Sequence, residues 1–184
     1  MANTSATGGY LQPAGTPAPA EDDALDDIIQ AAVVGITGLA GNLVRPRYQP
    51  GHPRHPEPDT NWCAVGVMET QRDAGPAIEH QGAGEGFDRY TRHQEIRVLA
   101  SFYGPNANRF AGLLADGLAV PQNLETLAAQ GVSFIDSDTA RRVPELINQQ
   151  WVNRYDLPIR LRRSIRRSYP ILNILSADPA YSTN

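Results

Sequence analysis

His52 and His55, with Cys63 close behind them, are the first residues of this chain whose types suit a metal. A metal site needs counted ligands on a rigid frame. Here proline separates the two histidines, and no carboxylate stands at a ligand spacing. The surrounding run, RPRYQPGHPRHPEPDT, carries five prolines and no apolar period. It reads as a surface loop. Asp136-Ser137-Asp138 offers paired carboxylates of the kind that hold magnesium, but Asp and Ser are also turn residues, and no third acid, His or Lys supports them. Gly82-Ala83-Gly84-Glu85-Gly86 looks like a phosphate cradle; it contains an acid, runs between two predicted strands and opens no helix, so it too reads as a loop. The chain has no lysine: all 16 basic residues are arginine. That excludes a Walker loop, a Schiff-base lysine and a lysine general base. No serine elbow or Cys/His couple of recognisable pattern occurs. The residues predict no enzyme, no cofactor and no metal.

The arginines are more informative. Arg160, Arg162, Arg163, Arg166 and Arg167 fall within eight residues, around Leu161 and Ile165. On a strand, Arg160, Arg162 and Arg166 point away from the apolar side as a positive row. These five, with Trp151 and Arg154, are the candidate interaction residues. A solvated strand face that resists edge pairing is the bland reading. The sharper ones are a carboxylate-rich partner or passing DNA phosphate. An acidic partner fits better, because the chain itself supplies such a surface: residues 1–88 hold 4 Arg against 12 acids, and residues 89–167 hold 12 Arg against 7 acids. A subunit so polarised can associate with its own copies.

The elements that must position these residues follow from apolar periodicity. Residues 1–20 are small, polar and rich in Pro and Gly, and predict a flexible arm. An acidic turn at Glu21, Asp22 and Asp23 precedes Leu25, Ile28, Ile29, Ala32, Val33 and Ile36, one stripe of a helix that Gly38 and Gly41 end. The Pro-rich loop 45–60 follows. Trp62–Thr70 predicts a strand, 71–86 a Gly-rich connection, and Phe87–Tyr103 a longer strand with Ile96, Val98, Ala100 and Phe102 on one face. Gly104-Pro105-Asn106 turns into a helix with Phe110, Leu113, Leu114 and Leu118 together. A short helix at 122–129 and a brief strand at 132–135 come next. The last strand is expected to place Trp151, Asn153, Tyr155, Leu157, Ile159, Leu161 and Ile165 on one face, with Arg154, Asp156, Arg160, Arg162, Ser164 and Arg166 on the other. Residues 171–184 form a second arm. The expected fold is α+β, a mostly antiparallel sheet with two or three helices packed on it, as one domain over 21–170 with extended terminal arms. The single cysteine, Cys63, excludes an internal disulfide. Met1–Ala20 shows no signal peptide, and Ile28–Val44 is too short and too polar for a membrane span.

The stretch from Gln94 to Ser176 resembles the phage neck or tail-terminator proteins. The resemblance rests on an order of elements: a strand closing on Phe102-Tyr103-Gly104-Pro105-Asn106-Ala107 before a helix, then Gly131–Ile135, then Val143-Pro-Glu-Leu-Ile-Asn-Gln-Gln-Trp151-Val-Asn-Arg154-Tyr entering a long amphipathic strand. It implies a virion component, made and assembled in the host cytoplasm, with no catalytic site. The implied partners are the chain itself in a ring, often six-fold, the tail tube protein, and the head-side connector or neck protein, with DNA passing through the lumen and no membrane. A head-completion adaptor on the portal side, and a DNA-packaging or nucleic-acid-binding accessory using the Arg row with Asp136 and Asp138, are the alternatives.

Overall fold

The computed structural model describes residues 2–49, 51, 54–147 and 149–174. His52 lies outside them, as do residues 175–184 of the expected C-terminal arm. The chain forms two compact units, Ala20–Asp73 with His93–Ser164, and Met1–Pro19 with Ala74–Arg92 and Ile165–Asn184. The fold is α+β with a mostly antiparallel sheet.

In the larger unit, helix α1 (Asp23–Thr37) buries Leu25, Ile29 and Val33, a four-residue spacing that keeps them on one stripe. Gly38 ends it in the left-handed conformation, φ 73°, with its N–H donating to the Val34 carbonyl at 2.9 Å. Strand β1 (Val44–Pro46) pairs parallel with β2 (Trp62–Arg72). This short edge strand overlaps the start of the expected Pro-rich loop 45–60; it survives because Pro46 sits at an edge, where its missing N–H costs no ladder bond. β2 pairs antiparallel with β4 (Phe87–Tyr103), as predicted, with a bulge between Val67 and Glu69.

Gly104, at φ 103°, turns β4 toward helix α2 (Ala107–Gly117). A Cβ there would stand 2.9 Å from the Asn61 Cα, so only glycine fits. The Asn61 Oδ1 then accepts the Asn106 N–H at 2.7 Å, at the start of α2. The buried face of this helix is Ala107, Ala111 and Leu114, with Leu118 just after it. Leu113, expected on that face, is exposed, because the small alanines set the close-packed side.

Helix α3 (Pro121–Ala129) and strand β5 (Val132–Ser137) follow. Then come β6 (Arg141–Arg142), β7 (Glu145–Ile147), β8 (Gln150–Val152) and β9 (Arg154–Tyr169). The main sheet runs β1-β2-β4-β9-β5, with β6 on β9; β7 and β8 form a separate hairpin. Trp151 is therefore not part of the long strand. The chain breaks at Asn153, whose carbonyl accepts the Gly104 N–H at 3.1 Å, so the alternation expected from Trp151 to Ile165 begins only after it. One core joins the helices to Val65, Val98, Phe102, Leu157, Ile159 and Leu161. Each such side chain contributes about 1.5–3 kcal/mol on burial.

The smaller unit is built differently. Strand β3 (Ala77–Gln81) pairs with Phe87–Thr91 of β4, making a hairpin where a plain connection was expected. Its turn lies in the Gly-rich residues, and Gly86, at φ 90°, presses against Asn173 so closely that any Cβ would collide with it. The Asn173 side-chain amide donates to the carbonyls of Gly82 and Gly84, each at 3.0 Å, and its backbone N–H donates to Glu85 at 2.8 Å. The N-terminal segment is tied to the end of β9, through Ser5 N–H to Pro170, Ala14 N–H to Ser168, and Thr16 to the Ser168 hydroxyl.

Candidate functional site

In the larger unit, period-two alternation gives the sheet two unlike faces. Cys63, Val65, Ala100 and Phe102 turn toward the helices and are buried. Trp62, Ala64, Gly66, Ser101 and Tyr103 turn the other way, as the pairings Trp62↔Tyr103 and Ala64↔Ser101 require. On β9 the even-numbered residues from Arg154 to Arg162 share that second face. It is rich in charge, and it is the candidate interaction surface.

Most of its arginines have carboxylate partners within the chain. Arg154 holds both Asp156 oxygens, at 2.7 and 2.8 Å, reaches Glu145 at 3.1 Å, and lies 5.6 Å from the Tyr103 ring centroid. Arg97 pairs with Glu69 at 3.1 Å. Arg162 pairs with Asp73 at 2.7 Å. Arg160 takes both Asp136 oxygens and approaches Glu95 at 3.8 Å. The Ser101 hydroxyl joins Arg47 to Asp156. Burial works against the Arg154 charge, but the hydrogen bonds to Asp156 and Glu145 outweigh it and hold the group firmly protonated. Arg160, bonded to Asp136, keeps that carboxyl below the usual range. Burial pushes the Tyr103 phenol up to about 12 and raises the Cys63 thiol strongly, so neither ionises at neutral pH.

Of the five clustered arginines, Arg160, Arg162 and Arg166 were expected to share one side of the strand, and none of the three is buried. Arg160 and Arg162 lie on the charged face as expected. Arg163 is 9% exposed; its Nε donates to Gln94 at 3.0 Å, and Gln94 is itself 1% exposed. Arg166 and Arg167 belong to the smaller unit, where Arg166 is exposed and Arg167 half-buried. Trp151 projects from the β7–β8 hairpin at 73% exposure, directly across from Leu146 at 57%. Two neighbouring apolar side chains in water suit a contact surface. The next residue, Val152, packs inward on Trp62, Ala64 and Tyr103.

The paired carboxylates are apart in role. Asp136 is engaged by Arg160, and the Asp138 Oδ1 accepts the Thr139 N–H at 2.7 Å, a turn contact. Among the described residues no group of three His, Cys, Asp or Glu is placed to hold a metal, and no helix is long and apolar enough to cross a membrane. Sequence reasoning missed one feature, a cleft of about 450 Å³ lined by Arg45, Arg47, Trp62 and Tyr103. Its signal was the Arg-Pro-Arg triplet shortly before a strand that opens on Trp62; the prolines around it masked the edge strand that aims both arginines.

No curated protein matches the chain. Residues 23–184, which include both faces of the sheet and the β7–β8 hairpin, match the phage neck terminator protein family. By this match, which takes in the charged sheet face and the exposed apolar hairpin, the chain belongs to that family and is a structural protein of the phage tail or neck.

Proposed function

We propose that this protein assembles as a homo-oligomeric ring, with a hexamer the leading number, that terminates the tail tube and joins tail to head. The observation that carries this reading is the family match across residues 23–184. The surface supports it: Trp151 and Leu146 offer an apolar anchor of the kind that dominates protein contacts, and the ion-paired face offers a rigid polar one. The partners in this reading are the chain's own copies, the tail tube protein and the head-side connector, with DNA passing through the lumen. Residues 1–20 and 171–184 act as arms that add contacts between subunits, and assembly takes place in the host cytoplasm.

Electron microscopy of particles made with this gene silenced tests the reading. Filled heads beside unattached tails of irregular length are expected. Unattached tails of uniform normal length would move the protein to a connector position on the head side. Complete, normal particles would sink the proposal.

A further inference from the structure

Arg45 and Arg47 differ from the other arginines of the charged face. They frame the cleft whose remaining walls include His55, Trp62, Ala64 and Tyr103. The Trp62 and Tyr103 rings stack at 4.2 Å with 7° between their planes, and Arg45 lies 6.0 Å from the Trp62 centroid. Arg154, Arg160, Arg162 and Arg97 are each matched by carboxylates, but among the described residues Arg45 donates to the carbonyls of Asn42 and Arg54, and Arg47 to the Ser101 hydroxyl. Among the described residues neither makes an ion pair, and the Arg47 Nε is buried with no acceptor at all. A half-buried guanidinium with one buried, unpaired N–H, beside an arginine that makes no ion pair and lies against stacked aromatic rings, can take a further carboxylate.

The same unit carries the opposite charge at the start of α1. Asp22, Asp23 and Asp27 are exposed and make no ion pair among the described residues, whereas Asp26 accepts the Val67 N–H at 3.1 Å. That contact places the acidic turn beside the middle of β2 on the helix side. The cleft lies at the beginning of β2 on the other side. Two complementary patches at different places on one molecule cannot both be satisfied within it. They give a head-to-tail contact, which closes into a ring when the rotation per subunit fits.

We propose that the Arg45–Arg47 cleft of one subunit receives the acidic first turns of α1, Asp22, Asp23 and Asp27, from a second copy. This contact rests on the ring reading above and names its two surfaces. A carboxylate segment of the chain's own suits the cleft better than nucleic acid does, because the exposed Asp22, Asp23 and Asp27 offer the charge that the cleft can take while the chain as a whole is net acidic at −4.

Charge exchange in the full-length protein tests it, with assembly followed by native mass spectrometry and folding by circular dichroism. Asp23 and Asp27 share one side of α1, so D23R/D27R reverses the acidic patch and R45E reverses the cleft. Each variant alone is expected to raise the concentration for half-assembly by about tenfold or more. The chain carrying all three substitutions, and an equimolar mixture of the two variants, should regain rings, which a folding defect does not permit. Rings unaffected by either reversal would overturn this contact while leaving the ring reading intact. Failure of both the triple variant and the mixture to assemble would also overturn it. A monomeric wild type in the presence of tube protein would remove the ring reading, and this contact with it. If R45E instead abolished binding of duplex DNA and left assembly unchanged, the cleft would be a nucleic-acid site and the proposal wrong.

Discussion

The two units of this chain are held by different forces. The larger has a continuous apolar core under three helices, running from Leu25 and Val33 through Phe102 and Leu114 to Leu161. The smaller is organised by hydrogen bonds around one asparagine, with the Asn173 side-chain amide donating to two carbonyls of the Gly-rich turn and its backbone N–H to a third. Apolar burial is non-directional and spreads over many residues, so the larger unit resists change globally. Hydrogen-bonded latches are directional and local, and each nets only a modest gain against water.

Three perturbations separate these modes. The largest effect is expected from Phe102→Ala, which empties the centre of the core where the side chain is fully buried. A loss of about 3–5 kcal/mol in chemical denaturation is expected; a loss no larger than that of a surface variant would mean the core is not what holds the larger unit. Asp156→Ala is intermediate. It leaves Arg154, which is 19% exposed, with Glu145 as its one remaining carboxylate among the described residues and removes the Ser101 partner, for an expected loss of about 1–3 kcal/mol. If a double-mutant cycle with Arg154→Ala shows no coupling, the charged face is decoration and not structure.

The smallest effect is local and depends on pH. The His80 Nδ1 lies 2.6 Å from Asp88 and its Nε2 lies 2.8 Å from the Asn173 Oδ1. The Asn173 Nδ2 is committed to Gly82 and Gly84, so both ring nitrogens face acceptors, and only the imidazolium can donate to both. The hydrogen bonds to Asp88 and then to Asn173 raise the His80 pKa above its ordinary value. A raised histidine stabilises the folded latch fully below its unfolded pKa and loses that contribution as pH rises through the folded one. NMR of the Asn173 side-chain amide should therefore show the latch loosening as the pH rises beyond the ordinary histidine range, with the global unfolding midpoint unmoved. A pH-independent amide signal, or one unchanged in His80→Gln, would show that the proton is not part of the latch.

Much of the architecture was legible from residue order. The α1 stripe, the long strand Phe87–Tyr103, both later helices and the alternation from Leu157 to Leu161 are local patterns, set by side chains that repeat at 3.6 or 2 residues. The family resemblance too rested on local pieces, the Tyr103-Gly104-Pro105-Asn106 turn among them, and Gly104 proves to be demanded by the close approach of Asn61.

What tertiary structure decided is pairing. Nothing in the run Arg160 to Arg167 says that Arg160 meets Asp136 and Arg162 meets Asp73, or that Arg163 turns inward onto Gln94. Trp151 looked like the head of an apolar strand face until the break at Asn153 gave it to a separate hairpin. Arg45 and Arg47 looked like loop residues until β1 paired with β2. Apolar periodicity is fixed by an element's own geometry and survives in the sequence. Charge compensation depends on which distant residues the fold brings within a few ångströms, and that is settled only when the strands find their register.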